Sequence, residues 1–168
     1  FIDLVSDDWT TWSDDPGGAQ DAQISSEQAL SGSQSLKIES GDDIALLMGD
    51  ETTGEYVVNF YYYVPMDHGA YFNFQHYEDL GTEWAVEVWF QDDDWGRIRV
   101  GGESTYFAYS HDSWTAIETR IDLDNDHAEL WINGEFIHSW PWHWESGGTR
   151  TNQLGAINLY GGYETSFY

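Results

Sequence analysis

Ala128-Glu129-Leu130-Trp131-Ile132-Asn133-Gly134-Glu135-Phe136-Ile137-His138-Ser139 consists of two short alternating runs joined by an Asn-Gly pair. Successive side chains on a strand point to opposite faces, so Ala128, Leu130 and Ile132 share one apolar face while Glu129 and Trp131 share the other. Asn133-Gly134 suits a type I′ turn, whose two central residues both need positive φ. The stretch therefore predicts a hairpin, Ala128–Ile132 returning through Phe136–Ser139, with one face buried.

The same period of two extends outward from this hairpin. It predicts strands at Ser35–Glu39, Asp43–Met48, Glu55–Val64, Ala70–His76, Trp84–Gln91, Arg97–Val100, Thr105–Tyr109, Trp114–Asp122 and Leu154–Tyr160. Turn-forming residues separate them: Ser31-Gly32-Ser33, Asp67-His68-Gly69, Asp92-Asp93-Asp94, Gly101-Gly102, Asp124-Asn125-Asp126 and Gly147-Gly148. Helical spacing of apolar residues is almost absent. Short strands punctuated every ~8–12 residues predict an all-β, two-sheet antiparallel β-sandwich. Residues 1–30 are the least regular part, Asp14-Asp15-Pro16-Gly17-Gly18 reads as a loop, and Glu164–Tyr168 reads as the start of a further strand. With neither an internal repeat nor a linker, residues 1–168 read as one domain.

Composition narrows the function. The chain carries 31 Asp and Glu against 5 Lys and Arg, a formal net charge of −26. Such a field repels nucleic acid and anionic membrane. A polyanionic polysaccharide is disfavoured too, unless calcium mediates. The chain has no cysteine, which removes disulfides and zinc-thiolate sites. No apolar run approaches the ~18 residues of a membrane helix, so membrane insertion is not expected. Ten Trp, eleven Tyr and eight Phe make 17% of the chain aromatic, which suits strands and supplies ring platforms. Beginning at Phe1 without a leader-like segment, the chain reads as a mature or excised part of a longer exported protein.

Three stretches carry a family resemblance: Ser31-Gly32-Ser33-Gln34-Ser35-Leu36-Lys37-Ile38, then Trp114 followed by Ile121-Asp122-Leu123-Asp124-Asn125-Asp126, then Glu129 through Ile137. A tryptophan-led strand running into an Asn-Gly hairpin resembles the concanavalin A-like and laminin-G-like jelly rolls. In exported bacterial proteins these serve as carbohydrate-binding or adhesin modules. The resemblance spans roughly residues 30–165 and implies secretion or display at a bacterial cell surface. Its implied partners are a polysaccharide or cell-surface glycan, or other surface proteins. It also implies a structural calcium ion, for which Asp3 and Asp7, with Asp42 and Asp43 of the Gly41-Asp42-Asp43 loop, are the candidates.

Alternation divides the central strands into an apolar set and a second set of one chemistry: Asn59, Tyr61, Asn73, Gln75, Glu87, Trp89, Asn158 and Tyr160. Amides and carboxylates bond adjacent sugar hydroxyls, and a ring supports the apolar face of a pyranose. The competing reading is the polar outer face that any antiparallel sheet needs. Trp140-Pro141-Trp142-His143-Trp144 is a second candidate. Extended, it presents Trp142 with its neighbours as a rim platform, or it closes one end of the core as a flap; Pro141 keeps it out of a central ladder.

Other chemistry fits less well. Asp122-Leu123-Asp124-Asn125-Asp126 starts like a calcium loop, but His127 occupies the required glycine position and Asn133 that of the bidentate Glu, so a turn is expected. The six His show no paired metal spacing. Glu83 and Glu87 stand four residues apart, ~13 Å along a strand. Glycosidase carboxylates lie ~5–5.5 or ~6.5–9.5 Å apart. The expectation is a non-catalytic module for a neutral glycan, with an adhesive or structural domain as the alternative and a glycoside hydrolase third.

Overall fold

The computed structural model describes residues 1, 7–145, 151–161 and 166–168. Among them, fourteen strands and no helix are formed. In chain order these are β1 (Trp9–Thr11), β2 (Gln23–Ser25), β3 (Ser35–Glu39), β4 (Asp43–Glu51), β5 (Glu55–Tyr63), β6 (Ala70–Gln75), β7 (Trp84–Phe90), β8 (Trp95–Val100), β9 (Glu103–Ala108), β10 (Trp114–Asp122), β11 (His127–Ile132), β12 (Glu135–Trp140), β13 (Leu154–Tyr160) and β14 (Ser166–Phe167). The hairpin at Asn133-Gly134 forms as its sequence requires, with φ of 52° and 78°. Its β11–β12 ladder keeps Ile132 opposite Glu135.

Two layers face each other. One is a seven-stranded antiparallel sheet in the order β1-β4-β13-β6-β7-β8-β9. The other begins as the four-stranded sheet β12-β11-β10-β5. Tyr63 and Tyr168 then exchange backbone hydrogen bonds, N to O at 2.7 Å and 2.9 Å, which join β5 to the three-stranded sheet β14-β3-β2. The molecule is thus a two-layer antiparallel sandwich.

The apolar sets named by alternation fill the space between the layers. Phe72, Phe74, Val88, Phe90 and Ile98 come from one sheet, and Tyr62, Ile117, Ile121 and Leu130 from the other; all are buried. Burying each large side chain contributes ~1.5–3 kcal/mol. The aromatic members meet edge to face, as Phe60 does with Phe72 at 5.1 Å and Phe90 with Tyr109 at 5.0 Å.

Trp142 is part of this core rather than a rim platform. It is 0% exposed. Its indole N–H donates to the Gln153 carbonyl at 2.8 Å, and Phe74 packs against its ring at 5.8 Å. Pro141 takes the chain off the end of β12, and the tryptophans of this segment close the sandwich.

One irregularity reassigns two residues. On β7, Val86 pairs with Phe74 and Trp84 pairs with Gln75, which leaves Ala85 as an inserted bulge residue. Simple alternation places Trp84 in the core and Glu83 on the polar face. The bulge reverses both: Trp84 lies on the outer side with Gln75, and Glu83 is buried. There the Glu83 carboxylate pairs with the His76 ring nitrogen Nδ1 at 2.6 Å and accepts the Thr151 backbone N–H at 2.9 Å. His76 Nε2 reaches the Trp142 carbonyl at 3.0 Å. Burial holds the His76 pKa below the usual imidazole range.

Candidate functional site: an aromatic cleft on the seven-stranded sheet

The outer face of the seven-stranded sheet carries a cleft of about 680 Å³. Registered neighbours build it. Glu87 stands opposite Asn73, Trp89 opposite Tyr71, and Asn73 opposite Asn158, while Tyr160 stands opposite Asp43. The sequence-predicted Asn73, Glu87, Trp89, Asn158 and Tyr160 therefore come together. Asp43, expected as a calcium ligand, lines the same cleft. Gln75 lies on the same face but is fully buried beneath it.

Asn59 and Tyr61 do not join them. They sit on β5, which belongs to the opposite layer, and face solvent there. Alternation says which residues of one strand share a side, but not which sheet the strand enters. Trp12 and Trp84 also line the cleft, where sequence reasoning did not place them. Trp12 follows the short β1, and the bulge at Ala85 delivers Trp84. Their rings lie 5.9 Å apart with planes inclined by 30°. Gly81 makes room for the pair: its φ is +85°, and a β-carbon there would stand 3.1 Å from Trp12 Cζ2.

The amides form the floor rather than free hydrogen-bonding groups. Gln75 Nε2 donates to Asn73 Oδ1. Asn73 Nδ2 donates to Asn158 Oδ1 at 2.8 Å, and Asn158 Nδ2 donates to Asp43 Oδ1 at 2.7 Å and the Ile44 carbonyl at 3.0 Å. The Gly81 N–H donates to Gln75 Oε1 at 3.1 Å and completes the chain. The three amides are at most 2% exposed. Being satisfied by one another, they rigidify the sheet surface.

Open hydrogen-bonding capacity belongs to the residues above this floor. The indole N–H groups of Trp12, Trp84 and Trp89 and the Tyr160 hydroxyl have no acceptor among the described residues. Among the described residues, Asp43 accepts a hydrogen bond at Oδ1 alone. Burial pushes the Asp43 pKa up from 3.8 to about 6, although the bond from Asn158 opposes the shift. Tyr71 donates to Glu87 Oε1 at 3.1 Å. Burial, with the Glu87 charge beside it, raises the Tyr71 pKa and keeps the phenol protonated. The Arg97 guanidinium lies 4.0 Å from the Trp89 ring centre, and the Tyr71 ring packs against the same indole at 5.3 Å, fixing its orientation. Asp67 and Asp92 stand at the rim.

Three of the four expected calcium ligands lie among the described residues. Asp3 lies outside the described residues. Asp7 is exposed, Asp42 accepts the Glu39 backbone N–H at 2.8 Å, and Asp43 is tied to Asn158. Among the described residues, no three His, Asp or Glu side chains gather as a metal cage.

No protein-family model and no curated protein sequence matches the chain. Solved structures do match its fold. A sialidase superposes with a TM-score of 0.59 at 12% identity over 90% of this chain, which spans 13% of that protein. The Crh5 transglycosylase superposes at 0.57 and 14% identity, covering 98% of this chain and 64% of its own. The carbohydrate recognition domain of Emp46p, in its potassium-bound form, superposes at 0.55 and 9% identity, covering 99% of this chain and 90% of its own. This chain shares the β-sandwich fold of these proteins.

Proposed function

We propose that this domain is a non-catalytic binding module that holds a neutral glycan in the cleft of the seven-stranded sheet. One observation carries the reading: a rigid, self-satisfied amide floor is topped by five aromatic side chains, three of them with indole N–H groups that lack an acceptor among the described residues. Sugar rings present C–H faces to aromatic rings and hydroxyls to both donors and carboxylates. A volume of about 680 Å³ is within the ~300–1,000 Å³ of small-ligand sites.

Charge supports the neutral class. Asp43, Asp67, Glu87 and Asp92 line the cleft, against two cations at one wall: Arg97 stacked on Trp89 and Arg99 paired with Glu87 at 3.6 Å; the balance stays negative and disfavours a sulfated or uronate chain. Emp46p supports the sugar reading through the name of its domain. The sialidase and the transglycosylase show that the fold alone decides nothing about catalysis, which leaves carboxylate spacing as the argument. From Glu87 the ladder runs through Asn73 and Asn158 to Ala45, two residues from Asp43. Three strand spacings of ~4.8 Å put the Glu87 and Asp43 backbones ~14 Å or more apart along the sheet. Glycosidases that work through a carboxylate pair hold the two groups ~5–9.5 Å apart. Here Asn73 and Asn158 fill the ladder positions between them, and burial holds the Tyr71 phenol beside Glu87 protonated, which disfavours it as a nucleophile. The reading also takes the module to be displayed outside the cell as part of a larger protein, where polysaccharide is available.

The test is affinity electrophoresis in neutral and anionic polysaccharide gels, run beside a reducing-sugar assay. Retardation in a neutral gel, weakened at least tenfold by Trp89→Ala and by Trp12→Ala without sugar release, supports the reading. Release of reducing ends, or retardation unaffected by both substitutions, overturns it.

A further inference from the structure

The opposite layer has an outer face of its own, and the sequence-predicted pair Asn59 and Tyr61 lies on it. On β10, Ala116 stands opposite Tyr61 and Glu118 opposite Asn59. On the other side of β10, Glu118 stands opposite Trp131 of β11. Ala116 is the small residue in this row, so the sheet is dented above it, leaving a pocket of about 360 Å³ that also borders Arg120 and Gly134. The Asn133 turn clamps the floor: its side-chain oxygen accepts the Ala116 N–H at 2.8 Å, and its own N–H donates to the Ala116 carbonyl at 2.9 Å.

One wall is prefixed. The Trp131 indole N–H donates to Glu129 Oε2 at 2.9 Å, the Arg120 guanidinium lies 4.6 Å from the Trp131 ring centre, and Phe136 packs edge-on at 5.4 Å. Arg120 Nε donates to Glu118 Oε1 at 2.6 Å. The other wall is open. Tyr61 is 49% exposed, and neither its ring, its hydroxyl nor the Asn59 amide has a partner among the described residues. Glu118 Oε2 is likewise unused. An acceptor carboxylate oxygen, an amide and a phenol thus surround a ring-sized dent, with one aromatic face exposed. Arg120 is balanced by Glu118 and Glu129, so the pocket offers no surplus positive charge to an anion.

We propose that this pocket is a second sugar-binding site for a single ring of a neutral glycan. The Tyr61 face supports the ring, and Asn59 and Glu118 bond its hydroxyls. The site stands on its own residues. Its consequence rests on the cleft reading as well: with sites on both outer faces of one sandwich, a single molecule bridges two glycan chains.

The experiment is a ¹⁵N-NMR titration of the whole domain with cellohexaose, mannohexaose and xylohexaose, using wild type, Ala116→Leu and Trp89→Ala. Leucine at position 116 fills the dent while pointing away from the core, and a cooperative melt verifies folding. The expected result is two sets of shifts. One set centres on Asn59, Tyr61 and Glu118 and is lost or weakened at least tenfold in Ala116→Leu. The other centres on the cleft and is lost only in Trp89→Ala. Cleft shifts without any at Asn59, Tyr61 and Glu118, or outer-face shifts that survive Ala116→Leu, overturn the second site. Outer-face shifts alone support it and overturn the cleft reading. No shifts with any of the three sugars overturn both.

Discussion

Asn158 donates a 2.7 Å hydrogen bond to Asp43 across the β13–β4 ladder, and that is the one hydrogen bond the Asp43 carboxylate accepts among the described residues. A buried carboxylate with one neutral donor is under-compensated, and its pKa rises from 3.8 to about 6. Between pH 4 and 6 the folded state therefore holds more protons at this site than the unfolded state does. Stability from this group is complete below pH 4 and is lost as pH climbs through 6. The effect is on the order of 1–2 kcal/mol once solvent in the cleft screens part of it. Asp43→Asn should flatten the difference between denaturant midpoints at pH 4 and pH 7 relative to wild type. An unchanged slope would show that Asp43 ionises normally.

Gly81→Ala tests the support of the tryptophan pair. The positive φ costs a β-carbon ~1–2 kcal/mol, and the new methyl meets the Trp12 ring at 3.1 Å. A modest fall in melting temperature should accompany a changed near-ultraviolet circular dichroism band from the Trp12–Trp84 pair. Glycan retardation should weaken with it. Full retention of both signals would separate Gly81 from the site.

Trp142→Ala and Trp89→Ala should diverge. Trp142 is 0% exposed, so its truncation costs ~3–5 kcal/mol through the cavity it leaves. Trp89 is half-buried in the cleft wall, and its truncation should cost ~1 kcal/mol or less while removing retardation in the neutral gel. Urea melts and gel mobility, measured on both variants, decide the assignment.

The same contrast holds for two glutamates four residues apart, Glu83 just before β7 and Glu87 on it. Glu83→Ala leaves His76 and the Thr151 N–H without a buried acceptor and should destabilise by ~3 kcal/mol. Glu87→Ala removes a cleft wall group bonded to Tyr71 and should change melting little while weakening sugar binding. Equal losses of stability in the two variants would contradict the bulge at Ala85.

Alternation carried most of the architecture because one face of nearly every long strand is buried. It placed Asn73, Glu87, Trp89, Asn158 and Tyr160 together, since β6, β7 and β13 are ladder neighbours in one sheet. Three kinds of information were illegible. Sheet membership, which sends Asn59 and Tyr61 to the far side, depends on pairings remote in sequence. A one-residue bulge shifts phase silently, so Trp84 and Glu83 exchanged roles. β1 and β2 have three residues each, too few for a period to register, and Trp12 was missed with them. The Asn and Gln residues signalled polarity correctly, but their burial and mutual bonding follow from packing that composition does not encode.

The amide chain across the cleft floor runs in one sense, from the Gly81 N–H through Gln75, Asn73 and Asn158 to Asp43. Every donor points the same way, so its dipoles add, with the positive end turned to Asp43. The floor consequently has a head and a tail. A sugar chain also has a reducing and a non-reducing end, and threading it through the cleft in one orientation is chemically distinct from threading it in the other.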